Sequence, residues 1–121
     1  MSNEITLYAS IKASKGETVI SKIVSALKVD WTGNRFVHNR QSVGITEEAL
    51  DLGDISTGGL FLAINQDGVN FVELRAGTGL TDFVRLNAGE FCLFRMSGDA
   101  AAPFAIADTA ACDLEYFLLE D

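Results

Sequence analysis

Apolar and polar residues alternate with a period of two along most of this chain, a pattern that commits it to strands half-buried in sheets. In residues 4–12, Ile5, Leu7, Ala9 and Ile11 share one face, opposed by Glu4, Thr6, Ser10 and Lys12. In residues 26–31, Leu27, Val29 and Trp31 oppose Lys28 and Asp30. Residues 34–43 read as a strand dense in hydrogen-bonding side chains. Residues 60–65 form an apolar run, Gln66-Asp67-Gly68 turns the chain, and residues 70–75 return. An Asp-Gly pair between apolar runs predicts a hairpin, because glycine accepts the positive φ such turns need. Further strands are expected at 82–86, 90–96 and 112–119, with a short one at 105–107.

From Gly33 onward, glycines recur mostly every 5–12 residues. Short strands with turn signals at that spacing indicate a sandwich or barrel. Only residues 17–27 and 46–50 have any helical character. The first is rich in Val, Ile, Ser and Thr, which suits a strand. The second begins Ile45-Thr46-Glu47-Glu48, like a helix cap, but Gly53 limits it to one turn. The expected fold is all-β: one domain over residues 1–121, an antiparallel β-sandwich, jelly-roll-like, of about eight to ten short strands. A chain of 121 residues can bury roughly two-thirds of its unfolded surface, so one core is feasible without covalent staples.

Charge narrows the function classes. Residues 1–40 carry Lys12, Lys15, Lys22, Lys28, Arg35 and Arg40 against Glu4, Glu17 and Asp30, a balance of +3. Residues 41–121 carry Arg75, Arg85 and Arg95 against fourteen acids, a balance of -11. The acidic surplus opposes nucleic-acid binding, which needs a basic footprint. The asymmetry suits either a merely soluble surface or a basic patch steered onto an acidic neighbour, another copy included. The start lacks the basic and apolar blocks of a signal peptide, and no apolar run is long enough for a membrane helix. A cytosolic origin is therefore expected, with use there or in an assembly built there.

The inventory of reactive groups is thin. His38 is the one histidine, and no Gly-x-Ser-x-Gly elbow occurs, so a hydrolase triad lacks its parts. Glu47 and Glu48 are adjacent and point to opposite faces of an extended chain. Asp113 and Glu115 share a face near Glu120 and Asp121, as a solvated surface would. Gly77-Thr78-Gly79 lacks the third glycine and following helix of a phosphate loop. Asn65, Asp67 and Asn70 do not have calcium-loop spacing. Cys92 and Cys112 suit free buried thiols, with a disulfide geometrically open, and they are too few for a zinc site with His38. No catalytic residue, metal or cofactor is expected. His38, among Arg35, Asn39, Arg40 and Gln41, suits a polar strand face or a contact with an acidic partner. Trp31 and Phe36 flank Thr32-Gly33-Asn34 and suit either the core or a subunit interface.

Two runs then point to a family. The run His38-Asn39-Arg40-Gln41-Ser42-Val43-Gly44, followed by Thr46-Glu47-Glu48-Ala49-Leu50-Asp51-Leu52-Gly53-Asp54, resembles a segment of small tailed-bacteriophage virion proteins. Asn70-Phe71-Val72-Glu73-Leu74, Phe83-Val84-Arg85-Leu86 and the ending from Ala107 to Tyr116 continue the resemblance, which covers about residues 35–121. It implies a virion structural protein made in the bacterial cytoplasm. Within that group, it implies a capsid cement (decoration) protein, commonly a homotrimer, that bridges major capsid subunits and uses no chemistry of its own. A neck, tail or fibre-associated β-sandwich is the alternative, and a carbohydrate-binding module a thinner one. On that reading Lys12, Lys15, Lys22 and Lys28 are candidates for touching an acidic capsid surface or an adjacent protomer. Trp31, Arg35, Phe36 and Arg40 are candidates for trimer contacts.

Overall fold

The computed structural model describes residues 3–98 and 100–121. All regular structure among them is strand, and every ladder is antiparallel. The strands fall into two compact units, Met1–Thr32 and Gly33–Asp121.

The first unit is a long hairpin of β1 (Ile5–Lys15) and β2 (Thr18–Val29). Gly16 takes the tight turn at φ 61° while Glu17 keeps a negative φ, the sign pattern of a type II′ turn. Pairing runs from Lys15↔Thr18 to Ala9↔Val24, then shifts, resuming at Leu7↔Leu27. The extra residue lies in β2, where Ala26 sits at φ 52°. This is a bulge in which a residue with a Cβ occupies the left-handed region. The open end is closed by side chains: the Asn3 N–H donates to Asp30 Oδ1 (2.8 Å) and the Trp31 N–H to Glu4 Oε1 (3.1 Å). Residues 17–27, the segment with some helical character, are thus strand except for the Glu17 turn.

The second unit holds β3 (Phe36–Val43), β4 (Glu48–Ala49), β5 (Gly58–Asn65), β6 (Val72–Arg75), β7 (Asp82–Leu86), β8 (Phe91–Arg95), β9 (Phe104–Ala107) and β10 (Cys112–Glu120). Pairing is nested about the β6–β7 turn: β6 with β7, β5 with β8, β4 with β9, β3 with β10. Successive nested pairs go to opposite sheets, giving the orders β3-β10-β5-β8 and β4-β9-β6-β7. A hairpin rolled in this way is the eight-strand jelly roll. Inward residues of both sheets meet in one core, with Phe61, Ala63, Leu114, Tyr116 and Leu118 from one side and Val72, Leu74, Leu86 and Ala105 from the other.

The hairpin expected across Asp67-Gly68 does not form. β5 and β6 lie in different sheets, and the chain crosses between layers here. Two physical reasons account for it. Gly68 is not among the glycines with positive φ, which are Gly16, Gly53, Gly79 and Gly89. Asn65, fully buried at the end of β5, organises the crossing with its own side chain. Its Nδ2 donates to the carbonyls of Asn70 (2.9 Å) and Leu86 (3.0 Å), and its Oδ1 accepts from the Asp67 N–H (3.0 Å). The Asp67 carboxylate in turn accepts from the N–H groups of Val69 and Asn70, and these bonds hold its carboxyl below the usual range.

Replacing Asn65 with Ala leaves two carbonyls and one N–H without their partner at this crossing. We expect a loss of about 2–3 kcal/mol, since each orphaned buried group costs roughly 1–3 kcal/mol before relaxation. Urea unfolding of the variant measures it, and a loss below about 0.5 kcal/mol would remove Asn65 from this role.

Candidate functional site

A sandwich sheet with one face in the core normally turns polar residues outward. The sheet β4-β9-β6-β7 follows that rule only in part: β9 turns Phe104 and Ile106 outward and Phe83 of β7 is 91% exposed, but charged pairs lie beside them. Arg85 pairs with Glu73 at 3.1 Å and lies over the Phe71 ring, 3.9 Å from its centroid. Arg75 is held between Glu47 (2.6 Å) and Asp82 (2.7 Å).

The sheet β3-β10-β5-β8 breaks the rule. Because Phe61, Ala63 and Asn65 of β5 face the core, alternation turns Leu60, Leu62 and Ile64 outward. Their ladder partners continue the apolar surface, with Leu62 opposite both Phe117 and Leu93 and Ile64 opposite Phe91. At the β3 edge, Leu119 pairs with Phe36. Phe36 and Phe91, at opposite edges, are 62% and 64% exposed. Charges occur on this face as internal pairs: His38 Nε2 with Glu115 at 2.7 Å, Arg40 with Asp113 at 3.4 Å, and Arg95 with Asp121 at 3.4 Å. The His38 ring also stacks on Phe117 at 4.0 Å. The bond from His38, and then one from Gln66 Nε2, hold the Glu115 carboxyl below its usual range.

The hairpin carries a second apolar surface. Its register puts Ile5, Leu7, Ala9 and Ile11 on one side with Ile20, Val24, Leu27 and Val29. Ile11 is 62% and Ile20 54% exposed. The opposite side mixes Tyr8, Val19 and Ile23 with Thr6, Ser10, Lys12 and Lys28.

Of the eight residues expected at interfaces, the four lysines and Trp31 belong to the hairpin unit, and Arg35, Phe36 and Arg40 to the sandwich unit. Lys15 and Lys22 lie on the apolar side of the hairpin, and Lys12 and Lys28 on the mixed side, where Lys28 Nζ donates to Thr6 Oγ1. All four are exposed. Trp31 is half-buried and belongs to the hairpin unit. Arg35, Phe36 and Arg40 are on or beside β3. Arg35 reaches Glu120 (3.9 Å) and the Asp54 carbonyl (3.4 Å), so it and Arg40 are already engaged within the chain. The outward row of β5 and β8 was missed. Its signal was the unbroken apolar run at 60–64, which on any strand must leave apolar side chains on both faces.

The other candidate groups are committed to structure. The Gly77-Thr78-Gly79 loop holds an anion, and that anion is the chain's own Glu47. The carboxylate accepts from the Thr78 hydroxyl, the Gly79 N–H (3.0 Å) and Arg75, which lower its pKa. Glu48 accepts from the Gly44 N–H and from Gln41 Nε2. Cys92 and Cys112 are free. Burial pushes the Cys92 thiol up to about 11, and burial with nearby Asp67 and Asp108 raises Cys112. Among the described residues no three His, Cys, Asp or Glu side chains gather to hold a metal ion. A hollow of about 230 Å³ near Leu74, Val84, Phe94 and Met96 is apolar. Compared with known proteins, the chain matches no family model, no curated protein and no solved structure.

Two measurements check these assignments. Glu47 has a folded pKa below its usual value near 4.5, so it contributes stability above that value and loses it as pH falls through the folded pKa. Glu47→Gln is therefore expected to be less stable than the parent at neutral pH, with the gap closing in acid below about pH 4.5. A gap independent of pH contradicts the assignment. Because the thiolate is the reactive form, an alkylating reagent at pH 8 should label neither cysteine in the folded protein within minutes, and both in denaturant. Rapid labelling of the native chain at Cys92 would contradict its burial.

Proposed function

We propose that this chain is a phage capsid cement (decoration) protein, a homotrimer that binds the outer surface of the major capsid shell and stabilises it. One observation carries the reading: the jelly roll presents a sheet whose outer face carries an apolar row, Leu60, Leu62 and Ile64, with Phe36 and Phe91 exposed at its edges. Such a surface marks a protein–protein contact. The resemblance of residues 35–121 to small virion proteins supplies the setting.

The physics of the role fits the parts. A trimer places three copies of a modest contact on one symmetric site, and effective concentration then multiplies their strength. The hairpin lysines give the electrostatic component, with Lys12 and Lys28 on the mixed side and Lys15 and Lys22 on the apolar side. Lysines of this kind raise the rate of encounter with an acidic shell and fix its register more than they add affinity.

The test is co-sedimentation of the purified protein with emptied, expanded shells of its phage, at low and high salt. Stoichiometric binding is expected. Lys12→Glu combined with Lys28→Glu, both on the mixed side of the hairpin, should weaken it at least tenfold at low salt and flatten its salt dependence. Binding to tails or necks but not shells would move the protein to the alternative virion position. Binding to neither would end the virion reading.

A further inference from the structure

We propose that the β1–β2 hairpin is an exchange arm whose apolar side seats on the outer face of the β3-β10-β5-β8 sheet of a second copy. The inference rests on the assembly part of the reading above and is independent of the shell.

Neither the arm nor this face suits water. A lone two-stranded hairpin is marginal in solution, and this one exposes Ile11, Ile20, Val24 and Leu27 on its apolar side. The sheet face exposes Phe36 and Phe91 and carries the Leu60, Leu62, Ile64 row between them. Two apolar sheet surfaces satisfy each other by packing face to face about 10 Å apart.

Charge favours the same match. Residues 5–29 carry Lys12, Lys15, Lys22 and Lys28 against Glu17 alone, a balance of +3. Residues 33–121 carry Arg35, Arg40, Arg75, Arg85 and Arg95 against fourteen acids, a balance of -9. Arm against sandwich is therefore attractive, whereas sandwich against sandwich repels. Two arms meeting each other would also set like charges together.

Size is adequate as well. Strands of 11 and 12 residues make an arm about 37 Å long and 10 Å wide. Its broad side is about 370 Å² in plan, and a copy in a ring makes two such contacts, one by its arm and one by its face, which together approach the roughly 800 Å² per partner of a standard interface. Arm onto face is a head-to-tail contact, which leaves one arm and one face unfilled unless it closes into a ring. A trimer is one such ring.

The experiment uses full-length variants whose masses are read by native mass spectrometry, alone and mixed. The arm variant is Ile11→Asp with Ile20→Asp. A second arm variant, Ile11→Thr with Ile20→Thr, keeps β-branched side chains and so preserves the strands. The face variant is Phe36→Asp with Phe91→Asp, both exposed enough for the sandwich to fold, as circular dichroism would verify. The parent is expected as a closed ring, and each variant alone as a monomer with association at least 100-fold weaker. An equal mixture of arm and face variants is expected to give heterodimers and nothing larger, because one good arm then meets one good face. An arm variant that dissociates while the face variant keeps the parent mass would show arms pairing with arms and overturn the proposal. The reverse pattern, a mixture without heterodimers, or a monomeric parent would overturn it equally. Failure of the parent ring to bind shells, with heterodimers formed in the mixture, would strike only the cement reading.

Discussion

Strand β5 has apolar side chains on both of its faces, and most of the molecule is arranged around that constraint. Inward, Phe61 and Ala63 meet Tyr116 and Phe94, with the Phe61 ring 5.3 Å from Phe94 and 6.0 Å from Tyr116. A central strand must be paired along both edges, and β10 and β8 provide that. Outward, Leu60, Leu62 and Ile64 form a half-buried row on the other side of the strand. Burying such side chains further is worth about 25 cal/mol per Å² of apolar area, and the proposed association draws on that term.

The polar groups of the sandwich serve the fold. Tyr116, fully buried in the core, donates its hydroxyl to the Asp51 carbonyl at 2.6 Å and accepts from Asn39 Nδ2 at 3.0 Å. Asn65 turns the chain between layers, and Glu47 pins the loop between β6 and β7. Gly33 lies so close to Glu120 that an added Cβ would come within 2.6 Å of its side chain. The Glu120 carboxylate accepts the N–H groups of Asn34 and Arg35, anchoring the entry to β3.

Much of this was legible in the sequence. Period-two alternation places strands at nearly every segment where they occur, and turn glycines such as Gly16 and Gly89 mark loops with positive φ. The jelly-roll arrangement was anticipated from short strands at regular spacing, and its nested pairing is what the fold shows. The Asp67-Gly68 turn misled, because a dipeptide cannot reveal whether a neighbouring buried Asn65 will carry the chain to the other sheet. The sequence marks Arg35 and Arg40 by charge alone and does not show that Glu120 and Asp113 lie beside them. Charge is visible residue by residue. The partner beside it comes from a strand 73 to 85 positions away, which no local pattern encodes.

The hairpin and the sheet face together make self-association the central claim. Its most direct measurement is the solution mass of the full chain by light scattering, at low and at high salt. A stable species of three times the single-chain mass at low salt is predicted, still associated at high salt because its contact is mainly apolar. A strict monomer at every concentration and salt would contradict the claim.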